Sequence, residues 1–367
     1  MSLRYEIRAA TLADEETLLD LARYLDSVNL PNDRDAVRRI LALSERSFRG
    51  EVRDPRQREY VFVLHDLERS RAVGTSLIVA QLGRRDAPYI YFDVRVEERY
   101  SATLDRHFAH DVLSIGYSYD GPTEIGGLVV HPDSRRAPEK LGLLISYVRF
   151  LFIAAHRELF QDRVLAELLP PLEPDGTSHL WEAVGHHFTG LTYREADRLS
   201  KQNKEFIRGL FPDGDIYVSL LPAQARAVIG RVGPQTRGVE KLLRRIGFRY
   251  WHRVDPFDGG PHFVADTSDI TLVRRTRRAL LDDGDPPSGA RRALVATEAP
   301  EAPFFRALSV PVVLSGERVL LPSYARAHFG VVPGQPLLIL PLDENDTENV
   351  AETTKPAGSE KKIPDRV

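Results

Sequence analysis

The 367-residue chain contains no cysteine. That excludes disulfide frameworks, thiolate metal sites and a cysteine nucleophile. No segment approaches the ~20 consecutive apolar residues that a membrane span needs, and the opening stretch MSLRYEIRAATLADEE lacks the apolar core of a secretion signal. The cytoplasm is the expected compartment, with no membrane partner. An excess of one charge is also missing: 50 basic and 53 acidic residues give −3, so no global field favours nucleic acid. What remains, 42% hydrophobic and 28% charged residues, is the balance of a globular protein with a substantial core.

One stretch organises the rest. Gly126 to Arg157 reads as a short apolar strand (Leu128, Val129, Val130), a polar basic loop (His131 to Lys140) and a long helix beginning near Leu141. Leu144, Tyr147, Val148, Leu151 and Ala155 fall on one helical face, with more apolar residues between them, so the helix is expected to be buried on most sides. A strand that passes through a basic turn into a helix N-terminus makes an anion site, because unpaired amides and the helix dipole point the same way. Arg135, Arg136 and Lys140 add full charges there, so a phosphate or pyrophosphate is the expected guest.

Upstream, Tyr5 to Ala10 reads as a strand and Thr11 as the start of a helix with acidic residues in its first turn. Asn29-Leu-Pro-Asn32 breaks the helical pattern, which resumes from Arg34 to Arg49. Tyr60 to His65 and Val73 to Gln81 read as a hairpin, and Tyr89 to Val96 as a further strand. Downstream, Arg163 to Leu169 reads as a strand, and Ser178 to Phe188, Glu195 to Leu210, Pro222 to Val232 and Gly238 to Gly247 as helices. Phe248 to Phe257 then reads as an aromatic strand entering the turn Asp258-Gly-Gly-Pro261. This order indicates an α+β fold, a mixed sheet flanked by helices. DDGDPPSGARR is a linker by composition, and short strand-like pieces around Pro-Gly turns follow it.

Several short motifs follow one another along the chain: YVFVL (Tyr60 to Leu64), HPD-x-R (His131 to Arg135), RF-x-F-x-AA-x-R (Arg149 to Arg157) and V-x-AE (Val164 to Glu167). W-x-x-x-G-x-x-F (Trp181 to Phe188), K-x-FI (Lys204 to Ile207), VIG-x-V-x-PQT (Val228 to Thr236), GFRY and D-x-FDGGP (Gly247 to Pro261) follow. In this order the chain resembles the arginine N-succinyltransferases, within the GNAT superfamily of acyl-CoA N-acyltransferases. The resemblance implies a GNAT-like region over 1–281, with an N-terminal portion over 1–170 and an extension over 171–281. A linker 282–292, a small β module 293–342 and a disordered polar tail 343–367 would complete the chain.

The implied reaction transfers succinyl from succinyl-CoA to the α-amine of L-arginine, with no permanently bound cofactor, no metal, and a homo- or hetero-oligomeric assembly. Such a reaction needs a deprotonated amine, a polarised carbonyl and the two held together. By the resemblance, Leu128 and Val130 meet succinyl-CoA, while Arg136, Lys140 and Gly142 hold its pyrophosphate. Where the family carries a proton-donor histidine this chain has Gly233, and the pyrophosphate loop keeps only Gly142 of the family's glycines. His187, His252 or His262 could replace that donor, water could protonate the thiolate, or the chain could be a silent subunit. Restoring histidine at Gly233 is expected not to lower activity.

Glu167 is a candidate base, a ligand for the substrate cation or a buried structural carboxylate. Asp255 and Asp258 are candidate ligands of the arginine side chain, with a turn role for Asp258 as the plainer reading. Catalytic candidates are therefore Glu167, His187 and His262. An acyl-CoA N-acyltransferase acting on another amine, such as ornithine, is the neighbouring alternative.

Overall fold

The computed structural model describes residues 3–25, 30–200 and 202–343. Its first strands are β1 (Tyr5–Ala9), β2 (Glu59–Asp66), β3 (Arg71–Val79), β4 (Tyr89–Ser101), β5 (Arg106–Ser118) and β6 (Thr123–Val130). They are followed by β7 (Arg163–Glu167), β8 (Ile216–Tyr217), β9 (Arg249–Val254) and β10 (Pro261–Asp266). The last are β11 (Arg277–Leu281), β12 (Arg292–Glu298), β13 (Phe305–Pro311), β14 (Val313–Ser315), β15 (Arg318–Leu320) and β16 (Pro336–Pro341). They form one sheet in the order β14-β15-β11-β16-β12-β13-β1-β2-β3-β6-β7-β10-β9-β4-β5-β8. Among the described residues only β6 with β7 and β11 with β15 pair in parallel, so the sheet is mixed.

The unbroken apolar run YVFVL follows from burial on both faces. Tyr60, Phe62 and Leu64 share a core with helix α3 (Leu141–Ala155), while Val61 and Val63 pack beneath α1 (Glu15–Ala22) and α2 (Arg34–Phe48). Helix α3 is buried on most sides, as its sequence suggests, and even Ser146 and Arg149 are inside. Among the described residues no helix is long and apolar enough to cross a membrane.

The stretch after β7 carries α4 (His179–Ala183), α5 (Gly185–Thr189), α6 (Tyr193–Ser200), α7 (Glu205–Leu210), α8 (Ala223–Val228) and α9 (Arg237–Arg245). A single helix over Ser178 to Phe188 is not what forms. It breaks at Val184, whose backbone leaves the helical region at φ −130 and ψ −71, and the Gly185 that follows sits against the Trp181 ring, where a Cβ would be only 2.3 Å from a ring carbon. Glu195 to Leu210 is likewise two helices rather than one. Strand β5 is hidden in the sequence because its outer half is exposed and polar, without an apolar run to mark it.

The 293–342 segment has a core of its own but is continuous with the main sheet, since β13 pairs with β1 and Arg306 bonds Glu6 at 2.6 Å. Helix α10 (Thr271–Arg275) and β11 lead into it, and α11 (Ser323–Phe329) covers it. Asn29 of the helix break, and all of the polar tail after Asp343, lie outside the described residues.

Candidate active site

The site begins where two parallel strands diverge. β6 and β7 are paired only at Thr123 with Val164 and Glu124 with Leu165. Beyond those pairs they splay, opening the β6 edge from Gly126 onward. On its other side β6 pairs with β3 through a bulge, with Thr75 opposite Val129 and Leu77 opposite Gly126, so Gly127 and Leu128 both face Ser76. Gly127 takes φ +58, and a Cβ there would lie 2.9 Å from Leu77 Cδ2, which is why the sequence carries Gly-Gly at this point. Ser76 turns away and donates to the Ile145 carbonyl of α3 at 2.7 Å. From α3, buried Arg149 donates to the Ser146 carbonyl (3.1 Å), the Ser146 hydroxyl (2.7 Å) and the Gly126 carbonyl (3.4 Å). Beyond Glu124 the β6 edge toward β7 has no strand partner among the described residues, and backbone N–H groups on such an edge can polarise a carbonyl.

The basic loop follows directly. Arg135 Nε donates to the Val130 carbonyl at 2.9 Å and so folds the loop onto the strand end. Lys140 caps α3 in the left-handed region at φ 53, which sends the chain sharply into the helix. The first-turn amides of Leu141 and Gly142 have no intrahelical acceptor. A Cβ on Gly142 would meet nothing nearer than Val130 Cγ2 at 3.9 Å, so packing does not demand glycine and the space above these amides is open. Arg136 is exposed beside them. Val130 itself is buried and belongs to the core, and Leu128 is half-buried against it.

Across the splay, the end of β7 carries an acidic cluster. One donor atom each from Glu167, Asp255 and His262 lie within 4.8 Å of one another. The residues arrive there by register: β10 pairs with β7 so that His262 faces Glu167 directly, and His262 Nε2 lies 3.4 Å from Glu167 Oε1. The His262 ring is fully buried, its Nδ1 shares a 2.8 Å hydrogen bond with the Tyr89 hydroxyl, and its Nε2 has no hydrogen-bond partner. The D-x-FDGGP turn is anchored by Phe257, which stacks on Trp181 at 5.0 Å and accepts a bond from Ser178 Oγ at 2.7 Å. Asp255 accepts from the Phe257 amide at 2.6 Å and Asp258 from the Gly260 amide at 2.7 Å, so both carboxylates also shape the turn.

Burial is the first reason that Glu167, Asp255 and Asp258 all hold their protons more tightly than ordinary carboxylates. Mutual repulsion adds to it: Glu124 and Asp255 act on Glu167, and Asp255 acts on Asp258. The Glu167 side chain keeps 33% of its surface open, so its tip meets solvent while its surroundings are protein. Lys204 eases the repulsion from a distance. Burial drives His262 the other way, down to about 3, and the charges of Arg253 and Lys204 assist. His262 is thus a neutral ring near pH 7 and a poor store of an acidic proton.

The other histidines do not join this cluster. His187 is exposed on α5, and His252 is exposed at φ 54, in the irregular stretch of the β9–β10 pairing. Gly233 lies against the end of β7: its amide donates to the Leu169 carbonyl at 2.8 Å, and a Cβ would stand 2.6 Å from the Pro170 oxygen. A side chain there would meet backbone at once, which argues against the expectation that restoring a histidine is harmless. Tyr89 and Arg149 escape the sequence reading because their strand and helix read as plain core. A surface hollow of about 910 Å³, lined by Arg56, Glu59 and Arg84 among others, shares no lining residue with the splay.

A bulged strand, a splayed parallel partner and an anion loop running into a buried helix together define an acyl-CoA N-acyltransferase of the GNAT type. The family model of the arginine N-succinyltransferase beta subunit matches residues 5–272. An arginine N-succinyltransferase from Yersinia pestis (strain Pestoides F) is 35% identical over 303 residues, which is 80% of this chain and 85% of that protein. The arginine N-succinyltransferase subunit beta of Pseudomonas aeruginosa is 34% identical over 292 residues, 79% of this chain and 84% of its own. The solved arginine/ornithine succinyltransferase subunit AI from Pseudomonas aeruginosa superposes with a TM-score of 0.79 at 31% identity, covering 93% of this chain and 99% of that one. The chain belongs to the arginine N-succinyltransferase family.

Proposed function

We propose that this protein transfers the succinyl group of succinyl-CoA to the α-amine of L-arginine, giving N2-succinylarginine and free CoA. The observation that carries the reading is a set of carboxylates, each holding its proton more tightly than usual, beside the strand edge where a thioester would sit, with no arginine or lysine ion-paired to them among the described residues. Such a cluster is built for a cation that arrives from outside.

In this reading the pyrophosphate rests on the first-turn amides of α3, with Lys140 and Arg136 adding charge. The thioester carbonyl takes hydrogen bonds from the bulge at Gly127 and Leu128. Asp255, backed by buried Asp258, holds the substrate cation. Glu167, whose proton affinity is raised by burial and by the neighbouring carboxylates, removes the ammonium proton. The freed amine attacks the thioester carbon and the C–N bond forms; as the C–S bond breaks, the nitrogen gives up its second proton to water and the departing thiolate takes one from water. No covalent enzyme intermediate is needed. Neutral His262, held by Tyr89, stands beside the Glu167 carboxyl at 3.4 Å without bonding to it. A cytoplasmic location and an oligomeric assembly belong to the same proposal.

The printed name of the subunit AI relative makes ornithine the second acceptor worth measuring. Thiol release from succinyl-CoA with arginine, and separately with ornithine, tests the proposal. Turnover with arginine is the expected result. CoA binding with no thiol release from either amine would leave a silent subunit instead.

A further inference from the structure

We infer that Arg149 receives the far carboxylate of the acyl group, and so selects a dicarboxylic acyl donor such as succinyl-CoA over a neutral one. The inference rests on the acyl-transfer reading above and assigns it a specificity determinant.

Arg149 is 2% exposed, inside α3, at a position where helices ordinarily carry leucine or alanine. A guanidinium has five N–H donors. Three are used here, two on Ser146 and one on the Gly126 carbonyl. Among the described residues no carboxylate lies within ion-pair distance of it, and burial alone pulls its pKa down to about 9. Buried charges are normally paired, because removing an ion from water costs several kcal/mol even after relaxation. Other arginines around the site are answered already: Arg253 pairs with Asp93 and Arg163 with Asp266. Arg149 differs from them in combining full burial, unused donors and no counter-ion among the described residues.

Its position supplies the rest. The guanidinium reaches Gly126, at the point where β7 peels away from β6. Gly126 is half-buried and has no side chain to screen that edge. Leu128, beside the proposed thioester carbonyl, is two residues further along across the Gly127 bulge, which brings it nearer than the roughly 6.6 Å of two extended residues. A succinyl chain, three C–C bonds of ~1.5 Å plus a charge-assisted hydrogen bond of ~2.8 Å, covers such a span. An acetyl group ends well short of it. The carboxylate would provide the missing counter-ion, and the fork of the guanidinium suits its two oxygens.

The test compares wild type with Arg149→Met and Arg149→Lys. kcat/KM is measured for succinyl-CoA and acetyl-CoA at fixed arginine, and both dissociation constants are measured by calorimetry, which needs no turnover. Arg149→Met is expected to reduce the preference for succinyl-CoA over acetyl-CoA by about 10- to 100-fold, with Arg149→Lys between it and wild type. Replacing an unpaired buried charge by an apolar residue of similar length should not unfold the chain. If melting shows that it does, the Lys variant and its two dissociation constants decide the matter. An unchanged succinyl-to-acetyl ratio, or an equal fall with both donors, overturns the inference while leaving acyl transfer intact. A wild type that binds neither donor removes the acyl-transfer reading and this inference together.

Discussion

Restoring the family histidine by Gly233→His is expected to damage the enzyme, not improve it. The added Cβ would stand 2.6 Å from the Pro170 oxygen and 2.8 Å from its carbonyl carbon, where real contacts stop near 3.0 Å, so something must yield by about 0.4 Å. Both obstacles are backbone, and no rotamer change relieves them. The segment that must yield is tied down twice, by the Gly233 amide and by Thr236 Oγ1, which both donate to the Leu169 carbonyl. Overpacking of this kind costs about 1–3 kcal/mol. The strain falls on the residues just after Glu167, and since a 1 Å misplacement at an active site can cost ~10²-fold, a shift of a few tenths should cost several-fold in kcat/KM. Thermal melting and initial rates of thiol release measure the two effects, with Gly233→Ala as the partner variant that adds the same Cβ without an imidazole. Should the histidine variant melt with wild type and turn over faster, the loop would be adaptable and the steric reasoning wrong.

Arginine binding should release protons, because the carboxyls of Glu167 and Asp258 hold them above the usual range and a bound cation favours the ionised forms. Calorimetry in buffers of different ionisation enthalpy reads this directly, and apparent affinity should rise with pH across the same range; net proton uptake would contradict it. For His262 the linkage runs the opposite way. The unfolded ring gains a proton below about 6.5 and the buried ring resists until about 3, so its contribution is complete above 6.5 and disappears as the pH falls toward 3. A His262→Gln variant should accordingly lose less stability than wild type over that window. Lys140→Gly relieves a left-handed backbone worth ~1 kcal/mol and should melt no lower than wild type, yet bind CoA more weakly; unchanged CoA affinity would remove Lys140 from the phosphate site. Glu167→Gln is expected to lower kcat by ~10²-fold or more with little change in melting, and a pure KM effect would make Glu167 a binding group only.

The sequence displays the central fold well because burial on both faces writes itself as continuous apolar runs, as in YVFVL and α3. The anion loop is legible too, since its charges and the helix onset are contiguous. Glu167, Asp255 and His262 can be suspected one at a time, but not as neighbours, because β10 brings His262 onto Glu167 from far along the chain. Their juxtaposition is a fact of strand register, which composition does not encode. Arg149 shows the converse difficulty: in an apolar helix a lone arginine passes as part of the core pattern, and only its burial with no counter-ion among the described residues marks it out. The crowding at Gly233 is equally invisible in one dimension, since Pro170 lies far away in the chain.

The pairing of β1 with β13 sets a timing problem for the newly made chain. Glu6 and Arg306 are 300 positions apart, so β1 leaves one of its edges bare until the residues between them have been translated. Exposed strand edges recruit other strands, and closing so wide a gap slows folding. The growing polypeptide must therefore keep that edge from mispairing while the strands beyond it wait to be made. Damage near residue 306 would accordingly show up first as aggregation during expression, before any fault in catalysis could be measured.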